Sequence, residues 1–172
     1  MNKNCVPILL WSMAAVYVLL MAELLFLREG DGLRSFNLIP FHTIQEYMNA
    51  DGGMRRNAVD VNIWGNILLF VPAGIYAMLI GKSGSIWPRL AAVALLSAGV
   101  EAGQYILAAG AADIDDVILN STGGLIGITI YSVLKLGLRK QERVKLFLSL
   151  LSAGVGVPVL ILSLVLYAVN RV

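Results

Sequence analysis

Asp113-Ile114-Asp115-Asp116-Val117-Ile118-Leu119-Asn120-Ser121-Thr122-Gly123-Gly124 opens an apolar run that continues to Leu138. Three carboxylates and an amide therefore stand at the mouth of a segment long enough to cross a hydrocarbon core. Four further runs of similar length occur, Val6 to Leu27, Ile63 to Ile80, Ile86 to Ala109 and Leu146 to Val169. Hydrophobic residues make up 58% of the 172 and charged residues 14%. The pattern predicts an all-α, polytopic transmembrane helix bundle of about five spans, with residues 1–172 forming a single integral membrane domain. Polar groups are costly inside a bilayer, so ionisable residues at membrane depth mark either a functional site or polar contacts between helices.

The first run resembles a secretory leader in having Lys3 before it, but it is too long and has no small-x-small cleavage site before Arg28. An uncleaved anchor is expected. Cys5, the only cysteine, permits no internal disulfide and precedes the apolar core, which argues against a lipoprotein site. Lys135, Arg139, Lys140, Arg143 and Lys145 crowd the connection between spans four and five, whereas the connection between spans three and four has no Lys or Arg. The positive-inside rule then puts the N-terminus in the cytoplasm and the C-terminus outside, with eight basic residues inside and five outside. Nucleic acid is not an expected partner, because the basic cluster lacks interleaved aromatics and lies beside the membrane. Anionic lipid is its expected neighbour.

The connection from Arg28 to Asn62 is the only sizeable segment outside the spans. Within it, Asn37-Leu38-Ile39-Pro40-Phe41 is an apolar patch in which proline holds Ile39 extended and lacks a backbone donor. Thr43-Ile44-Gln45-Glu46 has capping-box spacing and predicts a short helix towards Met48, ended by Asp51-Gly52-Gly53. So apolar a loop is expected either to rest in the membrane interface or to fold over the bundle as a lid.

Asn37-Leu38-Ile39-Pro40-Phe41, Asn62 with Gly65-Asn66-Ile67-Leu68-Leu69-Phe70-Val71-Pro72-Ala73-Gly74, Glu101 with Gln104, and Asp113 to Asn120 with Gly123-Gly124 together resemble the successive blocks of the VanZ-like family, over about residues 34–130. The resemblance implies a bacterial cytoplasmic membrane protein connected with low-level resistance to teicoplanin, a lipid-tailed glycopeptide acting at the outer face of that membrane. Where the family pattern carries an arginine shortly before the aspartates, this chain has Gly110-Ala111-Ala112, so no role is carried over from it. The fifth span lies beyond the motif-bearing region.

Helix geometry, with its rise of about 1.5 Å per residue, brings Glu23, Asn66, Glu101 and Asn120 to similar depths, roughly 6 to 10 Å inside one face. Asn62 and Asn66, Glu101 and Gln104, and Asp116 and Asn120 are spaced to share a helix face in each pair. A polar pocket opening to one side is expected, built from Asn66, Glu101, Gln104, Asp115, Asp116 and Asn120, with Arg34 as a further candidate from the loop. Asp115 and Asp116 lie nearer the span than Asp113 and are expected to matter more. Pro72 removes a helical donor below Asn66, and Gly123 with Gly127 and Gly99 with Gly103 have the spacing of close helix packing, making spans three and four expected neighbours.

The favoured reading is recognition of an amphipathic ligand, either a lipoglycopeptide or a lipid-linked cell-wall component, with membrane lipids as constant partners. Arginine in the loop suits phosphate or carboxylate groups of such a ligand. A membrane-embedded enzyme using Glu101 with Asp115 or Asp116 as acid and base is the less favoured alternative. No cofactor or metal is expected: oxygen ligands of this kind suit a divalent cation, but nothing else in the sequence supports one, and His42 stands alone. A small transporter and a purely structural bundle complete the alternatives. Oligomeric state is not encoded legibly.

Overall fold

In hydrocarbon a backbone must satisfy its own hydrogen bonds, so the apolar runs have one available structure, the α-helix. The computed structural model describes residues 5–26, 35–49, 54–80, 85–108 and 110–169. In chain order these form α1 (Cys5–Phe26), β1 (Phe36–Asn37), α2 (His42–Met48), α3 (Met54–Ile80), α4 (Trp87–Leu107), β2 (Ala112–Asp113), α5 (Ile114–Leu138) and α6 (Gln141–Val169). Five helices contain segments long and apolar enough to cross a membrane: Cys5–Leu25, Val61–Ile80, Trp87–Leu107, Ile114–Leu138 and Gln141–Val169. Large apolar side chains are exposed on all five, among them Leu19, Leu68, Leu95, Val133 and Leu164. Water disfavours such a surface and acyl chains accept it. The chain is an all-α, multi-pass membrane protein.

The fifth span starts at Gln141, five residues before its apolar run, and two other boundaries differ from the apolar runs for local reasons. The second span begins inside a longer helix, because α3 continues for two turns before its apolar part. The fourth begins at Ile114 instead of Val117, because Asp113 accepts the Asp115 N–H at 2.9 Å and so caps α5, placing Asp115 and Asp116 in its first turn. Their charges there oppose the positive end of the helix dipole.

The chain divides into two compact units, residues 25–131 and residues 1–24 with 132–172. In the second of these, Val144, Leu148 and Ser149 of α6 are buried, and the Ser149 hydroxyl bonds the Leu146 carbonyl. The unit of residues 25–131 is organised around glycine. A Cβ on Gly123 would fall on the Ile67 carbonyl oxygen, one on Gly127 on that of Val71, and one on Gly74 on that of Gly124. The Gly123/Gly127 spacing thus seats α5 directly on the α3 backbone. Gly124 receives Val93 of α4 on a neighbouring face, so α5 packs against both helices. Gly99, by contrast, has nothing within 4 Å of its Cβ direction and takes no part in this packing. Phe70, Ile128 and Tyr131 fill the interior, and α3 runs through Pro72 without interruption.

Gly127→Ala forces a methyl group against backbone and is expected to destabilise the protein by about 1 to 3 kcal/mol, as overpacking does. Gly99→Ala, with open space and better helix propensity, is expected to be neutral or mildly stabilising. Thermal unfolding of the two variants in the same detergent checks the contrast.

Candidate functional site

The sequence puts no hydrogen-bonding side chain at Phe41, yet α2 begins immediately after it. The first backbone N–H groups of a helix need outside acceptors. Asp115, 74 residues away, accepts the Phe41 N–H at 2.5 Å through one carboxylate oxygen. Its other oxygen accepts the Ile44 N–H at 3.1 Å. These are the two donors that a capping box would satisfy from within the helix. Thr43, expected from the sequence to cap the helix, lies inside it, because the helix starts at His42. Its hydroxyl instead donates to Asp113 at 2.5 Å.

Asp113 is the second fixed point. Its carboxylate accepts the Asn37 amide at 3.2 Å, the Thr43 hydroxyl and the Asp115 N–H. Its own N–H donates to Glu101 at 3.0 Å, tying the start of α5 to α4. Beside it, β1 pairs in parallel with β2, Phe36 opposite Ala112 and Asn37 opposite Asp113. Asp113 is thus more fully engaged than its distance from the span implies.

The turn into α2 carries some strain. Ile39 accepts the His42 N–H at 3.3 Å, with Pro40 at the second position and Phe41 at the third, where φ is 64°. Glycine or asparagine is favoured at such a position. A bulky residue there costs on the order of 1–3 kcal/mol and persists only when its surroundings hold it. The Asp115 bond to the Phe41 N–H is the visible restraint.

Behind the loop, Asp116 accepts the Asn66 amide at 2.6 Å, and Asn62, one helical turn away on α3, lies near the same carboxylate. Glu101 and Asp116 lie close enough to repel one another electrostatically. Asp115 is 0% exposed and Glu101 6%, while Asp113 and Asp116 are half-buried. One turn deeper, the buried Asn120 amide donates to Ser97 at 2.9 Å, and its Oδ1 has no partner among the described residues. Reversing that amide would merely exchange which atom is unpaired, a cost of about 1–3 kcal/mol either way.

The structure therefore brings Asn66, Glu101, Asp115 and Asp116 together, with Asn120 a turn below. Gln104 points elsewhere and donates to the Leu25 carbonyl at 3.0 Å, one of the last carbonyls of α1. Glu23 is exposed and belongs to the other compact unit. Arg34 lies outside the described residues. Sequence reasoning missed Thr43 and Ser97 as members of the network. Ser97 is four residues from Glu101 and shares its helix face, a signal that spacing alone contained; Thr43 had none beyond its place beside the apolar patch. Among the described residues, no group of three or more His, Cys, Asp or Glu side chains is arranged to hold a metal ion.

A membrane-spanning helix bundle in which the loop before α2 is held by two carboxylates at the head of one span is the class defined by this arrangement. The VanZ/LLP1 family model matches residues 14–135. Protein VanZ of Enterococcus faecium is 34% identical over 134 residues, covering 77% of this chain and 71% of that protein. The chain belongs to the VanZ-like family. No solved structure matches it.

Thr43→Val removes the hydroxyl that bonds Asp113, a loss of about 1 kcal/mol for a typical hydrogen bond. Limited proteolysis of the full-length protein is expected to cut residues 35–49 several-fold faster in Thr43→Val, with Thr43→Ser close to the parent.

Proposed function

We propose that this chain lowers susceptibility to teicoplanin-type lipoglycopeptides by binding an amphipathic or lipid-linked component of the envelope at the carboxylate cluster. Family membership supports the resistance-type function. The observation that carries the binding site is the gathering of Asn66, Glu101, Asp115 and Asp116 from three helices beneath one anchored loop. The hydrogen bonds divide the labour. Asp113 and Asp115 are occupied in holding the loop and Glu101 gives one oxygen to the Asp113 N–H, which leaves the half-buried Asp116, with Asn62, Asn66 and the other oxygen of Glu101, as the groups that meet the polar head of a ligand. The exposed apolar flanks of the surrounding helices suit its acyl chain.

On this reading the cluster faces the outside of the bacterial cytoplasmic membrane. At about 1.5 Å per residue, α5 is long enough to separate the aspartates at its start from Lys135 and Arg139 at its end by a membrane thickness. The basic end belongs in the cytoplasm by the positive-inside rule, which puts the N-terminus inside and the C-terminus outside. Binding alone suffices for protection, and no chemical turnover is invoked.

Expression of the parent chain in a sensitive Gram-positive host is expected to raise the inhibitory concentration of teicoplanin and not that of vancomycin, which lacks the lipid tail. Glu101→Gln at equal membrane abundance is expected to lose that protection. Absence of protection from a correctly inserted parent chain contradicts the resistance reading, and full protection by Glu101→Gln contradicts the carboxylate site.

A further inference from the structure

The segment from Phe36 to Ile44 has two chemically opposite sides. Its polar side is bound to the protein: the Asn37 amide and Thr43 hydroxyl go to Asp113, and the Phe41 and Ile44 N–H groups go to Asp115. Its apolar side is turned away from those bonds. Leu38 is 70% exposed, Ile39 64% and Phe41 52%, and Pro40 between them is exposed as well. A lid closing over the polar cluster would bury these side chains against the bundle, and a solvated loop would have no use for them.

We propose that the turn from Leu38 to Phe41 inserts into the lipid leaflet beside the C-terminal end of α4, as a membrane-dipping tip held from within by Asp113 and Asp115. Three observations place the lipid there. First, the apolar tip is continuous with a surface already facing lipid. Phe36 packs edge-on to Tyr105 of α4 with ring centroids 6.4 Å apart, and Ile106 and Leu107, the next residues of that span, are 67% and 65% exposed. Second, β1 and β2 pair next to Asp113, where α5 starts, so the tip is tethered at the end of a membrane span.

Third, most backbone donors of the turn are satisfied within the protein, which lowers the cost of setting irregular backbone at the lipid interface. Irregular backbone exposed to the hydrocarbon core does not occur, so the tip enters the headgroup and upper acyl region and not the core. The Ile39 N–H goes to the Asn37 side chain and the Phe41 N–H to Asp115. The His42 N–H goes to the Ile39 carbonyl, the Ile44 N–H to Asp115 and the Gln45 N–H to the Phe41 carbonyl. Pro40 has no N–H to satisfy. A large aromatic side chain at the positive-φ position, where glycine is favoured, fits an element whose side chain has a lipid environment to enter. This inference concerns the loop and stands whether or not the ligand is a lipoglycopeptide.

The test uses the full-length chain with Cys5→Ser, which removes the only cysteine, and Leu38→Cys carrying an environment-sensitive NBD label. The protein is reconstituted in phosphatidylcholine and phosphatidylglycerol vesicles. Leu95→Cys, exposed in mid-span, is the lipid reference. The expected result is blue-shifted emission quenched by lipids bearing a nitroxide near the headgroup and protected from aqueous iodide. Water-like emission quenched by iodide overturns the proposal in favour of a solvated loop. Blue-shifted emission quenched by neither overturns it in favour of a lid or a contact with a second copy. Ile39→Cys carries the same expectations if the Leu38 variant does not insert.

Discussion

A buried carboxylate must find donors, and Asp115 finds them in the first turn of α2. That exchange serves both partners. The helix begins at a residue with no capping side chain, and the aspartate is fully removed from solvent, so neither is tenable alone. The bond also fixes the depth of the loop relative to α5 and restrains the positive φ at Phe41. Asp113 reinforces it through Asn37 and Thr43 and passes the connection to Glu101 on α4. Removing either aspartate therefore leaves donors unpaired on an element far away in sequence.

This arrangement rests on helices that approach closely enough to share it. Gly123 and Gly127 let α5 lie on the α3 backbone, and that contact brings Asp116 within reach of Asn62 and Asn66. Gly124 admits Val93, keeping α4 near enough for Asn120 to bond Ser97 and for Glu101 to accept from Asp113. Small residues set helix distance, and helix distance determines which polar groups meet. The same stretch, Asp113 to Gly127, carries both the packing surface and the acidic residues of the proposed site.

The five spans were legible because hydrocarbon leaves few choices: an apolar run of that length becomes a helix. Asn66 and Glu101 were legible as neighbours because their places along the spans give them a common depth, and Asp116 because it shares a helix face with Asn120 near that depth. What the sequence did not reveal were pairings between distant elements. Nothing local marks Asp115 as the cap of a helix 74 residues earlier, and the Thr-x-x-Glu spacing pointed to a cap within α2 itself. The Gln104 bond to Leu25 depends on where α1 ends, which hydropathy does not define to the residue. The pairing of β1 with β2 was invisible for the same reason, since so short a strand has no periodicity to read.

Hydrogen exchange across residues 36–48 in the full-length membrane-inserted protein, with Asp115→Ala against the parent, reaches the central interaction most directly. Loss of a capping acceptor is worth about 0.5–2 kcal/mol, so exchange at the Phe41 and Ile44 amides is expected to accelerate by roughly two- to thirtyfold. Protection in α3 and α4 should stay near the parent level, and Asp115→Asn, which keeps one acceptor oxygen, should fall between the two. Unchanged exchange at Phe41 and Ile44 in Asp115→Ala would contradict the account, because the loop would then be held by something other than the buried carboxylate.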